Sequence, residues 1–288
     1  MDNQTIENKI ICGDCLEVMK STLPDKCIDL TITSPPYDNL RDYKGFIFDF
    51  EGIANELYRV TKDGGVVVWV VGDATVNGSE TGTSFKQALY FKEIGFRLHD
   101  TMIYAKNNPV PLTHNRYEQQ FEYMFILSKG KPKTFNPIMI KCKTAGTTYT
   151  IVERNKFSNE PLTSIRDRNR NRNEIITTSS KKRDYNIWYT NCSDTQYNHP
   201  AIFPEELVHR HIKSWSNEDD LIFDPMSGSG TTCQMAKMSG RKYLGIEISE
   251  EYVDIINERM SNISPDITKF INEDEDESVD ITSFSCNK

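Results

Sequence analysis

Two short segments of the chain combine residue types that ligand chemistry uses. The first is Thr33-Ser34-Pro35-Pro36-Tyr37. Its two prolines fix the backbone and remove both of their amide donors, which leaves carbonyls to accept. The Ser34 hydroxyl, the Pro35 carbonyl and the Tyr37 ring would make a slot for a flat ring bearing an amino group. The same residues would also serve as a plain turn after a strand. The second segment is Asp224-Pro225-Met226-Ser227-Gly228-Ser229-Gly230-Thr231. Small residues between a strand and a helix let a ligand approach the backbone and sit at the positive helix end. Glu247 follows Gly230 by seventeen residues, at the tip of the next strand, where an acid accepts hydrogen bonds from ribose hydroxyls. A dinucleotide fingerprint would place a third glycine at Cys233, and a phosphate-gripping loop would place a lysine in the turn. Neither residue is there, so the turn fits a nucleoside without a pyrophosphate.

These segments need strands and helices to hold them. The spacing of apolar residues predicts strands over Lys9 to Cys12, Ile28 to Thr33, Val66 to Val71, Arg97 to Ala105 and Phe121 to Ser128. Helices are predicted over Cys15 to Ser21, Phe48 to Val60 and Phe85 to Ile94, with Lys62-Asp63-Gly64-Gly65 as a turn. Periodicity fades from Gly130 to about Trp188. It resumes with a helix from Pro204, a strand at Leu221 to Phe223, a helix at Thr231 to Ser239, a strand at Lys242 to Ile248 and a helix at Glu250 to Met260. Strands alternating with helices imply an α/β protein with a mostly parallel sheet.

Composition narrows the classes. The chain has 288 residues and a formal charge of −8, but that charge is unevenly spread. Lys129 to Thr190 holds 14 Lys and Arg against 5 Asp and Glu, a local +9. Ser264 to Lys288 holds 7 acids against 2 lysines, a local −5, and is expected to be a disordered acidic tail. A basic segment in an acidic protein points to a polyanionic partner, with a solvated charged loop as the plain alternative. The longest apolar run, Val66 to Val71, is far short of the ~20 residues of a membrane-spanning helix. The polar N-terminus reads as neither a secretory nor a transit signal. Seven scattered cysteines suit the reduced thiols of a cytoplasmic protein. Cys12 and Cys15 lack a second pair at zinc spacing, so no metal is expected. His209 and His211, two apart on a helix, do not share a face.

Taken together, the two segments resemble the motifs of the S-adenosylmethionine-dependent DNA amino-methyltransferases, over roughly Lys9 to Met260. That family carries a Ser/Asn/Asp-Pro-Pro-Tyr/Phe catalytic motif and an Asp-Pro-Phe-x-Gly-Ser-Gly-Thr cofactor motif. Met226 replaces the usual Phe. The order, catalytic motif first, is similar to the β group, whose sheet is circularly permuted. The resemblance therefore implies a Rossmann-like methyltransferase fold with a basic target-recognition insert. It also implies that Ser34, Pro35, Pro36 and Tyr37 are catalytic, and that S-adenosyl-L-methionine is held by Asp224 to Thr231 and Glu247. Asp14 in Ile11-Cys12-Gly13-Asp14 would reach the cofactor adenine. His199, Phe203 and Pro204 in His199-Pro200-Ala201-Ile202-Phe203-Pro204 would flank its methionine end. Arg116, after Asn107-Asn108-Pro109, would lie near the target base.

In that family Ser at the first motif position usually accompanies cytosine-N4 methylation and Asp accompanies adenine-N6 methylation. Ser34 therefore favours cytosine, with adenine second and a non-catalytic DNA-binding protein of the same fold as the rival. No Pro-Cys pair occurs, which excludes the cytosine-C5 reaction on this reading. The expected organisation is a catalytic half over 1–129, a target-recognition region over 130–190, a cofactor-binding half over 191–263 and the tail over 264–288. Arg166, Arg168, Arg170 and Arg172 would contact DNA phosphates or base edges. The expected partner is double-stranded DNA, with room for a homodimer and a cognate restriction endonuclease, and no membrane.

Overall fold

The computed structural model describes residues 6–36, 48–109, 116–150, 175–191 and 203–263. The first elements are β1 (Lys9–Cys12), α1 (Cys15–Thr22), β2 (Ile28–Thr33), α2 (Phe50–Val60) and β3 (Thr61–Val71). A two-strand hairpin, β4 (Thr75–Val76) and β5 (Ser79–Glu80), leads to α3 (Thr83–Glu93), β6 (Arg97–Lys106) and β7 (Phe121–Ser128). Short strands follow: β8 (Met139–Lys141), β9 (Thr148–Thr150), β10 (Ile175–Thr177), β11 (Lys181–Arg183) and β12 (Ile187–Thr190). The chain then forms α4 (Glu205–Trp215), β13 (Leu221–Asp224), α5 (Thr231–Met238), β14 (Lys242–Glu247) and α6 (Glu250–Ser261).

Eight strands form one sheet in the order β1-β14-β13-β2-β3-β7-β6-β12. Every neighbouring pair is parallel except the two made by β7, so the mostly parallel α/β sheet expected from the sequence is present. Val66 to Val71 runs through its middle and is buried on both faces, as an unbroken apolar run requires. Alternate residues of that run face opposite ways. Val67, Trp69 and Val71 share a cluster with Met19 of α1, Ile53, Ala54 and Leu57 of α2, and Phe91 of α3. The Trp69 and Phe91 rings meet edge to face at 5.1 Å, and the Trp69 indole N–H donates to Gln87 Oε1 at 2.8 Å. Helices α4 and α5 pack against β2, β13 and β14.

Local chemistry sets the helix ends. Asp14 and Asp49 cap α1 and α2, each accepting a backbone N–H three residues on at 3.0 Å. That cap makes α2 start at Phe50 rather than Phe48. Helix α3 begins two residues earlier than its apolar pattern suggests. Asp73, from beyond the end of β3, accepts both the Ser84 N–H (2.9 Å) and the Ser84 hydroxyl (2.5 Å). The expected turn at Lys62 to Gly65 lies inside β3. The β2 partners step from Ile28↔Thr61 to Leu30↔Val66, so the segment bulges out of the ladder, with Gly64 at φ +82°.

The described residues cluster into two compact units, one of 6–136 and 185–263 and one of 137–150 and 175–184. The second holds two antiparallel pairs, β8 with β11 and β9 with β10. Ile187 to Thr190, which reads in sequence as the end of the basic stretch, instead pairs in parallel with β6 as the sheet's edge strand. Among the described residues no helix is long and apolar enough to cross a membrane. The acidic tail from 264 lies outside the described residues.

Candidate active site

The site forms where the sheet changes direction. From β13 the chain passes through α5 to β14 on one side, and from β2 through α2 to β3 on the other. The strands β13 and β2 are neighbours, so their carboxyl ends diverge and open a crevice between the two connections. Strand β13 ends at Asp224 and β2 at Thr33, the residues at which the two chemically suggestive segments begin.

The glycine-rich turn is built from hydrogen bonds. The Ser227 hydroxyl donates to the Asp224 carbonyl (3.0 Å), and the Gly230 N–H donates to the Ser227 carbonyl (2.7 Å). The Ser227 N–H reaches across to Ile246 O on β14 at 2.9 Å. Gly230 enters α5 at φ +82°, and a Cβ there would stand 2.8 Å from Ile256 of α6. Only glycine satisfies both that dihedral and that contact. Cys233, where the dinucleotide fingerprint has glycine, is fully buried, and the small residue stands across from it instead. A Cβ on Gly245 of β14 would lie 2.8 Å from the Cys233 thiol. Close approach of helix and strand is kept by moving the glycine from one to the other.

Polar groups line the turn with capacity to spare. No side chain caps α5, and the buried Thr231 hydroxyl has no hydrogen-bond partner among the described residues. Glu247 accepts the Gly228 N–H (2.7 Å) on one oxygen and the Ser249 N–H (3.0 Å) on the other. A carboxylate has about four acceptor sites, so capacity remains for a ligand hydroxyl. Burial pushes the Glu247 carboxyl above the usual range, against those amide bonds. Asp224 is pushed up further, to about 6, chiefly by burial, while hydrogen bonds from Thr33 and the Met226 N–H pull the other way. No described cation pairs with it. A buried carboxylate with neutral donors alone suits a cationic ligand.

The catalytic segment meets the turn at its first residue. The Thr33 hydroxyl donates to Asp224 Oδ1 at 2.8 Å. Ser34, half-buried, Pro35, buried, and Pro36 follow directly, and Tyr37 lies outside the described residues. The exposed Asp14 is brought near the turn through its neighbour, since the Gly13 N–H donates to the Glu247 carbonyl at 2.9 Å. Pro204 is buried at the start of α4, with Phe203 half-buried before it. Arg116 is bonded to Gly78 O (2.5 Å) and Glu80 (3.4 Å) of the β4–β5 hairpin. His199, Arg166, Arg168, Arg170 and Arg172 lie outside the described residues.

One supporting residue escapes the motif reading. The buried Arg259 of α6 donates to Ser229 O in the turn at 2.5 Å, to Gln234 of α5, and to Glu205 at 3.3 Å, next to Pro204. Its signal in the sequence is its place, three after Ile256 and one before Met260, within the stripe that α6 buries. His211 is buried, and burial depresses its imidazole to about 3. His209 instead contacts Ser239 Oγ at 3.3 Å, so the two histidines do face differently. Among the described residues no group of three His, Cys, Asp or Glu could hold a metal ion.

Comparison with known proteins gives a consistent picture. A profile of the N6/N4 DNA methylases matches residues 28–258. The orphan methyltransferase M.BamHII of Bacillus amyloliquefaciens is 51% identical over 85% of this chain and 92% of its own length. Among solved structures, the M1.HpyAVI–SAM complex superposes with a TM-score of 0.59 at 23% identity, covering 88% of this chain and 99% of that one. The cytosine-N4-specific PvuII DNA methyltransferase gives 0.63 at 21% identity, with 93% and 92% covered. At those identities the superpositions show a shared fold.

Proposed function

Because the chain belongs to the family of N6/N4 DNA methylases, we propose that it transfers a methyl group from S-adenosyl-L-methionine to the exocyclic N4 of cytosine in double-stranded DNA. The observation that carries this reading is the Thr33–Asp224 hydrogen bond. It sets the Ser34-Pro35-Pro36 segment directly beside the glycine-rich turn, so an amine held at one lies next to a donor held at the other.

S-adenosylmethionine, when bound, supplies a methyl group on an electrophilic sulfonium. The residues described fit it: the buried Asp224 would serve its cationic end, the small residues of 226–230 would admit its stem, and Glu247 would take the ribose hydroxyls. Asp14 would serve the adenine, and Phe203, Pro204 and His199 would flank the methionine end.

The protein's task is to make a poor nucleophile attack. The lone pair of an aromatic amine is delocalised into its ring. The Ser34 hydroxyl and the Pro35 carbonyl accept hydrogen bonds from the amino group and favour a tetrahedral nitrogen with a localised lone pair. That is positioning and electrostatic stabilisation, and it needs no covalent enzyme intermediate. A target base inside a duplex is out of reach, so it is flipped out and stacks on Tyr37. Pro36 keeps the turn rigid. Ser34 at the first motif position favours cytosine over adenine, on the family pattern given above.

The region 130–190, apart from its last strand β12 in the main sheet, would serve as the target-recognition part. Lys141 and Lys181 stand opposite one another in the β8–β11 ladder, with Arg183 on the same strand. All three are exposed, and cations so arranged would contact the phosphate backbone of DNA. Arg166, Arg168, Arg170, Arg172 and Arg116 add contacts to the same polyanion.

Mass spectrometry of nucleosides from mixed-sequence DNA, after incubation with protein and S-adenosylmethionine, tests the reading. The expected product is N4-methylcytosine, with loss of at least 100-fold in turnover for Ser34→Ala. N6-methyladenine would overturn the base assignment and leave the mechanism. Absence of any methylated base would overturn the catalytic reading in favour of a DNA-binding role.

A further inference from the structure

The pairing of β2 with β13 ends early. The last backbone partners are Ile222↔Leu30 and Phe223↔Thr31, and beyond them side-chain hydroxyls replace the ladder. The Thr232 hydroxyl, in the first turn of α5, reaches the Ile32 carbonyl at 3.3 Å. One residue further, Thr33 Oγ1 donates to Asp224 Oδ1 at 2.8 Å, and the same oxygen accepts the Met226 N–H at 3.1 Å. Thr33 and Asp224 are 0% and 4% exposed. A hydrogen bond to an ionised acceptor in such surroundings is short, strong and hard to replace with water. A continuous path, Thr33 hydroxyl to Asp224 carboxylate to Met226 amide, thus joins the residue before Ser34 to the turn before Ser227.

We propose that Thr33 is a positioning residue that couples the two turns, so that occupancy of the cofactor turn tightens DNA engagement at Ser34 to Pro36, and the reverse. This rests on the methyltransferase reading above and adds to it a residue that touches neither substrate. A ligand at the turn that holds Asp224 in place also holds the acceptor of the Thr33 bond. Displacement of the turn strains the same bond and moves the residue on which Ser34 is mounted. Coupling of this kind is reciprocal in free energy, so either ligand reads it.

Strand β2 carries its own control. Thr31, two residues back on the same face, is equally buried, and its hydroxyl has no hydrogen-bond partner among the described residues. Deleting a buried hydroxyl there probes packing without touching Asp224.

The test is binding of a fluorescent mixed-sequence duplex at fixed salt, with and without saturating S-adenosylhomocysteine, for the full chain. The wild-type duplex affinity is expected to rise about tenfold with the nucleoside present. Thr33→Val, which keeps shape and removes the donor, should bring that factor within twofold of one. Thr33→Ser should restore it, and Thr31→Val should leave it at the wild-type value. Thr33→Ala gives a second deletion if the valine variant does not fold. An unchanged factor in either deletion, or an equal loss in Thr31→Val, overturns the proposal. Because the readout is binding, it is independent of turnover: a protein that shows the coupling but methylates nothing refutes the enzymatic reading alone.

Discussion

The two turns of the site are made rigid by different means. The cofactor-side turn, 224–231, is held by hydrogen bonds from three directions, its own Ser227, the amide contacts to Glu247 and Ile246, and the Arg259 guanidinium, and by the packing of Gly230 on Ile256. The catalytic-side turn, Ser34-Pro35-Pro36, is held by covalent geometry, because its proline rings set φ and withdraw two donors. A ligand with many polar atoms needs a turn whose own backbone groups are already spoken for. A single amino group needs acceptors at a fixed angle, and the prolines offer carbonyls without adding competing N–H groups.

This contrast predicts that backbone substitutions act differently on the two sides. The largest effect is expected from Gly230→Ala, which places a side chain at φ +82° and 2.8 Å from Ile256. Left-handed strain plus overpacking should cost about 3 kcal/mol in chemical denaturation and abolish measurable cofactor binding. Retained wild-type affinity would show that the turn adapts.

Acid should act next, and on the cofactor side. Asp224 titrates near 6 in the folded protein, so cofactor affinity should fall up to tenfold per pH unit below that value. In Asp224→Asn the affinity should be weak and flat between pH 7 and 5. The sign for stability is opposite. A carboxyl raised above its ordinary value stabilises the fold below that ordinary value, and this is lost as pH rises through about 6. The buried neutral His211 works the other way, contributing stability above 6.5 that disappears as pH falls toward 3. A His211→Phe variant should therefore gain on the wild type by about 1.4 kcal/mol per pH unit in acid unfolding curves.

Pro35→Ala, on the catalytic side, restores an N–H and a free φ. It should lower kcat about tenfold and leave the dissociation constant of S-adenosylhomocysteine within twofold. Equal losses in both would erase the distinction between the turns. The smallest effect is expected of Arg259→Lys, which keeps the charge but gives up the fork that serves Ser229, Gln234 and Glu205. Calorimetry should read a three- to tenfold weaker nucleoside, with duplex binding in its absence unchanged.

Legibility in the sequence followed the range of the interactions involved. Val66 to Val71 announced a doubly covered strand, because burial on both faces leaves no polar alternation to read. The start of α3 was not readable, since its N-terminal partner, Asp73, comes from outside the helix. Lys62 to Gly65 looks like a turn by composition and does bulge, yet its flanks stay in one strand because β2 pairs on both sides of it. Ile187 to Thr190 carries too few residues for periodicity to register, and only β6 makes it a strand. In the site, the two motifs were plain, whereas Arg259 looked like any other arginine and Thr33 like a strand residue.

What the sequence by itself determined is everything that depends on near neighbours: the alternation of strands and helices, the proline and glycine turns, the acid after β14, and the family to which these belong. What only the tertiary structure decided is how those pieces become one site. Thr33 and Asp224 are 191 residues apart, and Cys233 tolerates its place only because Gly245 faces it across the helix–strand gap. Such pairings arise from sheet order and close packing, which set distances between residues that carry no local mark of each other.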